Sequence, residues 1–203
     1  MMDLLYKLAK ENGIELSQAQ LEKFEVYLNM LLKWNRAYNL TSVRKKEDIV
    51  IKHFLDSLTL VKLFEAKGID VSGKKIADFG SGAGFPGVPL KIYYEEKIDL
   101  YLIESVGKKC IFLEMLSKEL GLKYTVLCER AEKIQDKFDI VVSRATGETF
   151  EVLKIGKNLL KENGLMVIMK GKDVEEELKP YTLSMHFKGL PERKFVVVQK
   201  WSG

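Results

Sequence analysis

Two hydrophobic periods divide this chain. Up to about residue 72, apolar positions return every three or four residues, whereas from Lys74 onward short apolar runs alternate with such stretches. Asp3 to Glu11 predicts a short amphipathic helix stopped by Asn12-Gly13. Ser17-x-x-Gln20 forms a capping box, so Ser17 should cap the next helix. Leu21, Phe24, Leu28 and Leu31 then bury one face, and the pattern fades around Trp34-Asn35. A third helix is expected from roughly Glu47 to Lys67, with Ile49, Phe54, Leu58 and Val61 inward and Gly68 ending it.

The second region predicts strands at Lys75–Phe79, Leu100–Glu104, Tyr124–Leu127, Phe138–Val142 and Leu165–Lys170. Helical spacing follows the first of them from Val88, and recurs over Lys108–Leu120 and Thr149–Leu160, the last stopping at Asn163-Gly164. Strands separated by helices imply parallel pairing with right-handed crossovers. Thr182–Phe187 and Phe195–Lys200 break that rhythm, because the link between them is too short for a crossover. They predict an antiparallel hairpin. The expectation is therefore α/β: a mostly parallel seven-stranded sheet with a C-terminal antiparallel hairpin over residues 73–203, preceded by a helical extension over 1–72.

Composition narrows the function classes. The chain has 203 residues, 46% of them hydrophobic and 31% charged, with a net charge of +4. That mild basicity permits nucleic-acid binding without requiring it. Cys110 and Cys128 are the only cysteines, which predicts neither a disulfide framework nor a metal cluster and fits a reducing cytosol. Asp3, Lys7 and Lys10 interrupt the N-terminus, so a signal peptide is not expected. No apolar run approaches the ~20 residues of a membrane span. The expectation is a cytoplasmic protein with no metal and no membrane partner, and a monomer.

The candidate chemistry centres on Ile76-Ala-Asp-Phe-Gly-Ser-Gly-Ala-Gly-Phe-Pro-Gly87, where a strand feeds a glycine loop and then a helix. Such a loop brings main-chain N–H groups close to a ligand. Gly82-x-Gly84-x-x-Gly87 matches a dinucleotide fingerprint, with Glu104 about 20 residues on. Asp78, two residues before Gly80, argues otherwise: a carboxylate repels pyrophosphate and can hold an ammonium group. S-adenosylmethionine carries that group and no phosphate. A strand-helix turn without any ligand is the alternative at this point.

Ligands of open parallel sheets sit beyond the C-terminal strand ends. Glu104 ends the second strand, where it can accept ribose hydroxyls, and Ala131-Glu132 follows the third, where the adenine edge can be read. Either acid can instead be a solvated helix-start residue. Arg144 emerges at the tip of Asp139-Ile-Val-Val-Ser143, and a desolvated guanidinium favours a planar acceptor such as guanine. No Asn/Asp-Pro-Pro-aromatic motif for exocyclic amines is present, and neither cysteine suits carbon methylation. Guanine N7 attacks a sulfonium methyl without losing a proton, so alignment by Arg144 would serve in place of a general base. His53 and Asp56 share a helix face, as a structural hydrogen bond or as a functional pair. Residues 33–46 interleave Arg36, Arg44, Lys45 and Lys46 with Trp34, Tyr38 and two asparagines, which suits phosphates and unpaired bases or an ordinary polar loop. Lys170 and Arg193 lie near the same rim, as phosphate contacts or as plain surface charge.

Taken together, several segments resemble the ribosomal small-subunit RNA methyltransferase G family, also called the glucose-inhibited division protein B family. They are 33–43, His53-Phe-Leu-Asp-Ser57, Asp78 through Pro89, Ile103-Glu-Ser105 with Lys108-Lys109, Ser143-Arg-Ala145, Lys170-Gly171 and Glu192-Arg193. The resemblance implies a Rossmann-like class I methyltransferase that methylates N7 of one guanosine in 16S rRNA, in the decoding region of the small subunit, with S-adenosylmethionine as donor. It also implies cofactor contacts at Gly80, Phe85, Ala131, Glu132 and Arg144, with Glu104 on the ribose and Asn39, Arg44, His53 and Asp56 on the RNA side. Thr146-Gly147-Glu148 departs from the family pattern. The rivals are a methyltransferase with another RNA, protein or small-molecule acceptor, a non-catalytic RNA- or nucleotide-binding module, and a dehydrogenase.

Overall fold

The sheet is built from β1 (Lys75–Phe79), β2 (Asp99–Glu104), β3 (Thr125–Cys128), β4 (Phe138–Ser143), β5 (Leu160–Lys170), β6 (Thr182–Met185) and β7 (Arg193–Gln199). These elements come from a computed structural model that describes residues 1–144 and 148–200. Ala145, the Thr146-Gly147 departure and Trp201 lie outside the described residues. The strand order is β3-β2-β1-β4-β5-β7-β6. β1 to β5 pair in parallel, and β7 enters antiparallel between β5 and β6. The chain leaves β1 toward β2 and β3, then returns to place β4 on β1's other side. That reversal opens a crevice between the C-terminal ends of β1 and β4, where such sheets hold ligands.

Period-2 alternation splits the strands between two cores. Ile76, Leu100, Leu102, Ile140, Val142 and Val167 face one side, packed with the helices α1 (Met2–Glu11), α2 (Gln18–Tyr38), α4 (Asp56–Lys67), α5 (Gly87–Tyr94) and α6 (Gly107–Leu120). Ala77, Ile103, Val141, Met166 and Ile168 face the other, against Val152, Leu153 and Leu159 of α7 (Thr149–Leu159). The N-terminal helices thus complete the larger core.

Local signals hold where they are chemically specific. Ser17 caps α2, with the capping box closed in both directions. Other boundaries move. α2 runs on to Tyr38 because Trp34 packs edge-on against Phe112 of α6 at 5.5 Å, and Asn39 (φ 51°) provides the left-handed cap. β5 begins at Leu160, since Leu160 already pairs with Phe138 across a register shift. The third helix is not uniform: a short α3 (Lys46–Ile49) passes into a π-helical stretch, Val50–Leu55, before α4.

Cys110 and Cys128 form a disulfide, against the expectation of two free thiols. The β2–β3 register sets Cys128 opposite Glu104, and the first turns of α6 bring Cys110 back over that strand end, leaving the Cα atoms 5.8 Å apart.

Candidate active site

A cavity of about 630 Å³ opens at the β1/β4 crevice. Gly80, Ser81, Gly82, Ala83 and Phe85 of the glycine loop line one wall, and Arg144 beyond β4 lines another. His53 and Asp56 come from the π-helical stretch and the start of α4, and Arg193 from β7.

The four loop glycines divide into two kinds. Gly80 (φ 73°) and Gly82 (φ 57°) have open space where a Cβ would stand. A Cβ on Gly84 would meet Tyr27 Oη at 2.5 Å, and one on Gly87 would meet Leu102 at 2.6 Å and Asp78 Oδ2 at 2.8 Å. Gly84 and Gly87 therefore exist for packing inside the protein, whereas Gly80 and Gly82 present bare main chain to the cavity. The Gly82-x-Gly84-x-x-Gly87 spacing is a coincidence of two separate requirements.

Asp78 is fully buried and does not line the cavity. Its Oδ2 accepts the Gly87 amide at 2.8 Å, capping α5 from inside, while Oδ1 has no partner among the described residues. Burial pushes its carboxyl up to about 8, partly offset by the Gly87 amide and by Arg144. Glu104 Oε1 accepts from Gly82 N and Oε2 from Val106 N, both at 2.8 Å, so it locks the glycine loop to the end of β2. Each oxygen keeps further accepting capacity.

On the opposite wall the charged side chains form one connected set. Arg144 donates to the Lys52 carbonyl (3.1 Å), Asp56 Oδ2 (3.3 Å) and His53 Nδ1 (3.0 Å). Arg193 grips Asp56 with Nε on Oδ1 (2.9 Å) and Nη2 on Oδ2. A guanidinium only donates, so His53 Nδ1 must accept. Nε2–H then donates to Thr41 Oγ1 at 2.8 Å, which fixes a neutral imidazole. Burial first and Arg144 second lower its pKa to about 3. His53 stacks on Phe85 (centroids 4.3 Å apart), Phe85 stacks in turn on Tyr27 at 5.3 Å, and Arg144 lies over Phe85. The π-helical register delivers this: one extra residue per turn swings His53 and Asp56 onto Arg144.

The remaining candidates fall elsewhere. Ala131 and Glu132 occupy a 3₁₀ turn beyond β3, with Ala131 buried and Glu132 exposed on Arg130. Asn39 accepts from Arg44 on the exposed segment next to Leu40 and Thr41, which line the cavity. Lys170 is held by Thr149 (2.7 Å) and Glu175 (3.4 Å) rather than lining the cavity. Leu190 and Pro191, in the β6–β7 link, join the wall beside Arg193. Sequence reasoning passed over them; the Gly-Leu-Pro turn was the available signal.

Open main chain at Gly80 and Gly82 and an accepting carboxylate at Glu104 fit a ligand with ribose hydroxyls. Together with the antiparallel β7 in a parallel sheet, they define the class I methyltransferases that use S-adenosylmethionine. The chain belongs to the family described as GidB, rRNA small subunit methyltransferase G, whose model matches residues 20–201. It is 50% identical over 181 residues to the ribosomal RNA small subunit methyltransferase G of Aquifex aeolicus, covering 89% of this chain and 91% of that one. The Francisella philomiragia relative is 34% identical and is covered over 98% of both chains. Among solved structures, a T. thermophilus 16S rRNA N2 methyltransferase bound to AdoMet and guanosine matches with a TM-score of 0.55 and 20% identity, over 72% of this chain and 43% of that one. Magnesium protoporphyrin IX methyltransferase from Synechocystis, with bound SAM, matches with a TM-score of 0.59 and 14% identity, over 84% and 96%. At such identities the two structures bear on the fold alone. No helix among the described residues is long and apolar enough to cross a membrane.

Proposed function

We propose that this protein methylates N7 of one guanosine in 16S rRNA, in the decoding region of the small subunit, in the cytoplasm. Bound S-adenosylmethionine supplies a methyl group on a sulfonium, activated for attack by a lone pair. Gly80 and Gly82 offer main chain to its methionine half, with Asp78 beneath the loop. Glu104 takes the ribose, Phe85 and Arg144 face the cavity beside it, and Ala131 and Glu132, outside that cavity on the turn beyond β3, are assigned the adenine edge.

The observation that carries the acceptor is the Arg144 cluster beside an open glycine loop. Arg144 is clamped by Asp56, His53 and the Lys52 carbonyl, so its guanidinium is pre-aimed at the cavity. A fixed guanidinium can donate to guanine O6, where adenine carries an amine donor instead, and so leaves the N7 lone pair free to attack. His53 is neutral, with Nε2–H donated to Thr41 and Nδ1 accepting from Arg144, so it is a poor proton acceptor. Guanine N7 carries no proton to remove, so alignment suffices; holding the reactants in line supplies ~7–11 kcal/mol. The helical segment 1–72 forms the RNA side through Asn39, Arg44, His53 and Asp56, joined by Arg193, while residues 73–203 hold the cofactor.

The test is labelled S-adenosylmethionine incubated with small subunits lacking the modification, followed by borohydride-aniline cleavage. Label with a single cleavage site is the expected result. Label without cleavage would reject N7, and label transferred equally to unrelated RNA would reject the acceptor.

A further inference from the structure

We infer that Tyr38 is a stacking platform for an unpaired nucleotide flanking the target guanosine, with Lys108 and Lys109 taking the adjoining phosphates; this rests on the RNA acceptor proposed above. Tyr38 is 45% exposed. It is not loose: Trp34 backs it at 5.6 Å and is itself wedged on Phe112 at 5.5 Å. Its phenol hydroxyl has no hydrogen bond among the described residues. Lys108 Nζ lies 5.4 Å from the ring centroid, so cation and ring share one surface although they come from α6 and α2.

The two chain segments that meet at the ring carry charge of one sign. Residues 33–46 contain five cations and no acid, and 105–113 add Lys108 and Lys109, again with no acid. None of these seven has a carboxylate within 4.0 Å among the described residues. Lys108 and Lys109 stand in the first turn of α6, where the macrodipole disfavours cations, so the helix's own electrostatics do not account for them. A rigid exposed ring set among unpaired cations suits a base and its phosphates. An acid-free surface of this kind does not suit an apolar protein partner.

Position ties the platform to the active site. Asn39 turns the chain through a left-handed conformation, and the next two residues, Leu40 and Thr41, line the cavity. Two residues span at most ~7 Å, so a base on Tyr38 belongs to a near neighbour of the nucleotide in the cavity.

Two measurements on the full chain test this together. With unmodified small subunits, Tyr38→Ala is expected to raise KM about tenfold, or about 1.4 kcal/mol, while the Kd for S-adenosylmethionine stays within about twofold. Tyr38→Phe keeps the ring and should restore the KM. In parallel, fluorescence anisotropy with a labelled single-stranded RNA should show the same order of affinities. Lys108→Ala should reduce the salt slope of that binding by about one ion. An unchanged KM and RNA affinity for Tyr38→Ala overturns the platform, as does a loss in Tyr38→Phe equal to that in Tyr38→Ala. If the unaltered protein fails to methylate subunits yet binds RNA through Tyr38, the proposed reaction falls and the platform stands.

Discussion

Asp56→Asn is the sharpest test of how the active-site wall is held. The change keeps shape and removes one negative charge facing two guanidinium groups. Asp56 meets Arg193 through Nε at 2.9 Å and a second contact, and Arg144 at 3.3 Å. Removing one partner of a buried ion pair costs ~3–5 kcal/mol, because the survivor stays desolvated. The Arg144 and Arg193 side chains retain 23% and 19% of their exposure, so water recovers part of that. A loss of about 2–3 kcal/mol is expected. For a chain of this length that lowers Tm by about 5–10 °C, readable by calorimetry. Arg144 also loses the charged member of its clamp, keeping only His53 and the Lys52 carbonyl, so kcat should fall on the order of 100-fold, since small misplacements of an aligning group are costly. A double-mutant cycle with Arg193→Gln isolates the pair: a coupling of about 1–2 kcal/mol is expected. A Tm within about 1 °C of the unaltered protein, or full additivity in the cycle, would refute the reasoning.

Gly87→Ala should destabilise the protein by about 1–3 kcal/mol, because its Cβ would sit 2.6 Å from Leu102 and 2.8 Å from Asp78. Gly82→Ala has open space, so the fold should survive with about 1 kcal/mol of backbone strain while cofactor affinity drops; calorimetry and equilibrium dialysis separate the two effects. Asp78 has a folded pKa raised from 3.8 to about 8, so its contribution is complete below about pH 3.8 and is lost as pH rises through 8. His53 is lowered from 6.5 to about 3, so its contribution is complete above pH 6.5 and is lost as pH falls toward 3. Between pH 6.5 and 8 only Asp78 acts: stability should decline in the native chain and stay level in Asp78→Asn, and equal slopes would contradict the burial argument. Reducing the Cys110–Cys128 bond, which spans 18 residues, should lower stability by about 3 kcal/mol; no change on adding reductant would mean the thiols are already free in solution.

The architecture was legible because its signals are short in sequence. Hydrophobic periods of 3.6 and 2 separate helices from strands within a dozen residues, and the capping box at Ser17 and the short link before β7 are local too. The glycine loop could be recognised as a loop, but its letters do not separate Gly80 and Gly82 from Gly84 and Gly87. What would strike a Cβ at each depends on Tyr27 and Leu102, which arrive from elsewhere. Asp78 reads in sequence as a ligand-facing acid; in the fold it braces α5 from within.

By itself the sequence determined the order of elements, the parallel sheet with its antiparallel last strand, the glycine loop and the arginine at the tip of β4. All of these follow from patterns within an element or between elements adjacent in sequence. Tertiary structure alone decided that His53, Asp56, Arg144 and Arg193 form one set, joined across as many as 137 residues, and that two cysteines meet. Such pairings depend on strand order and on a π-helical register shift, which place charges side by side only after the sheet has closed.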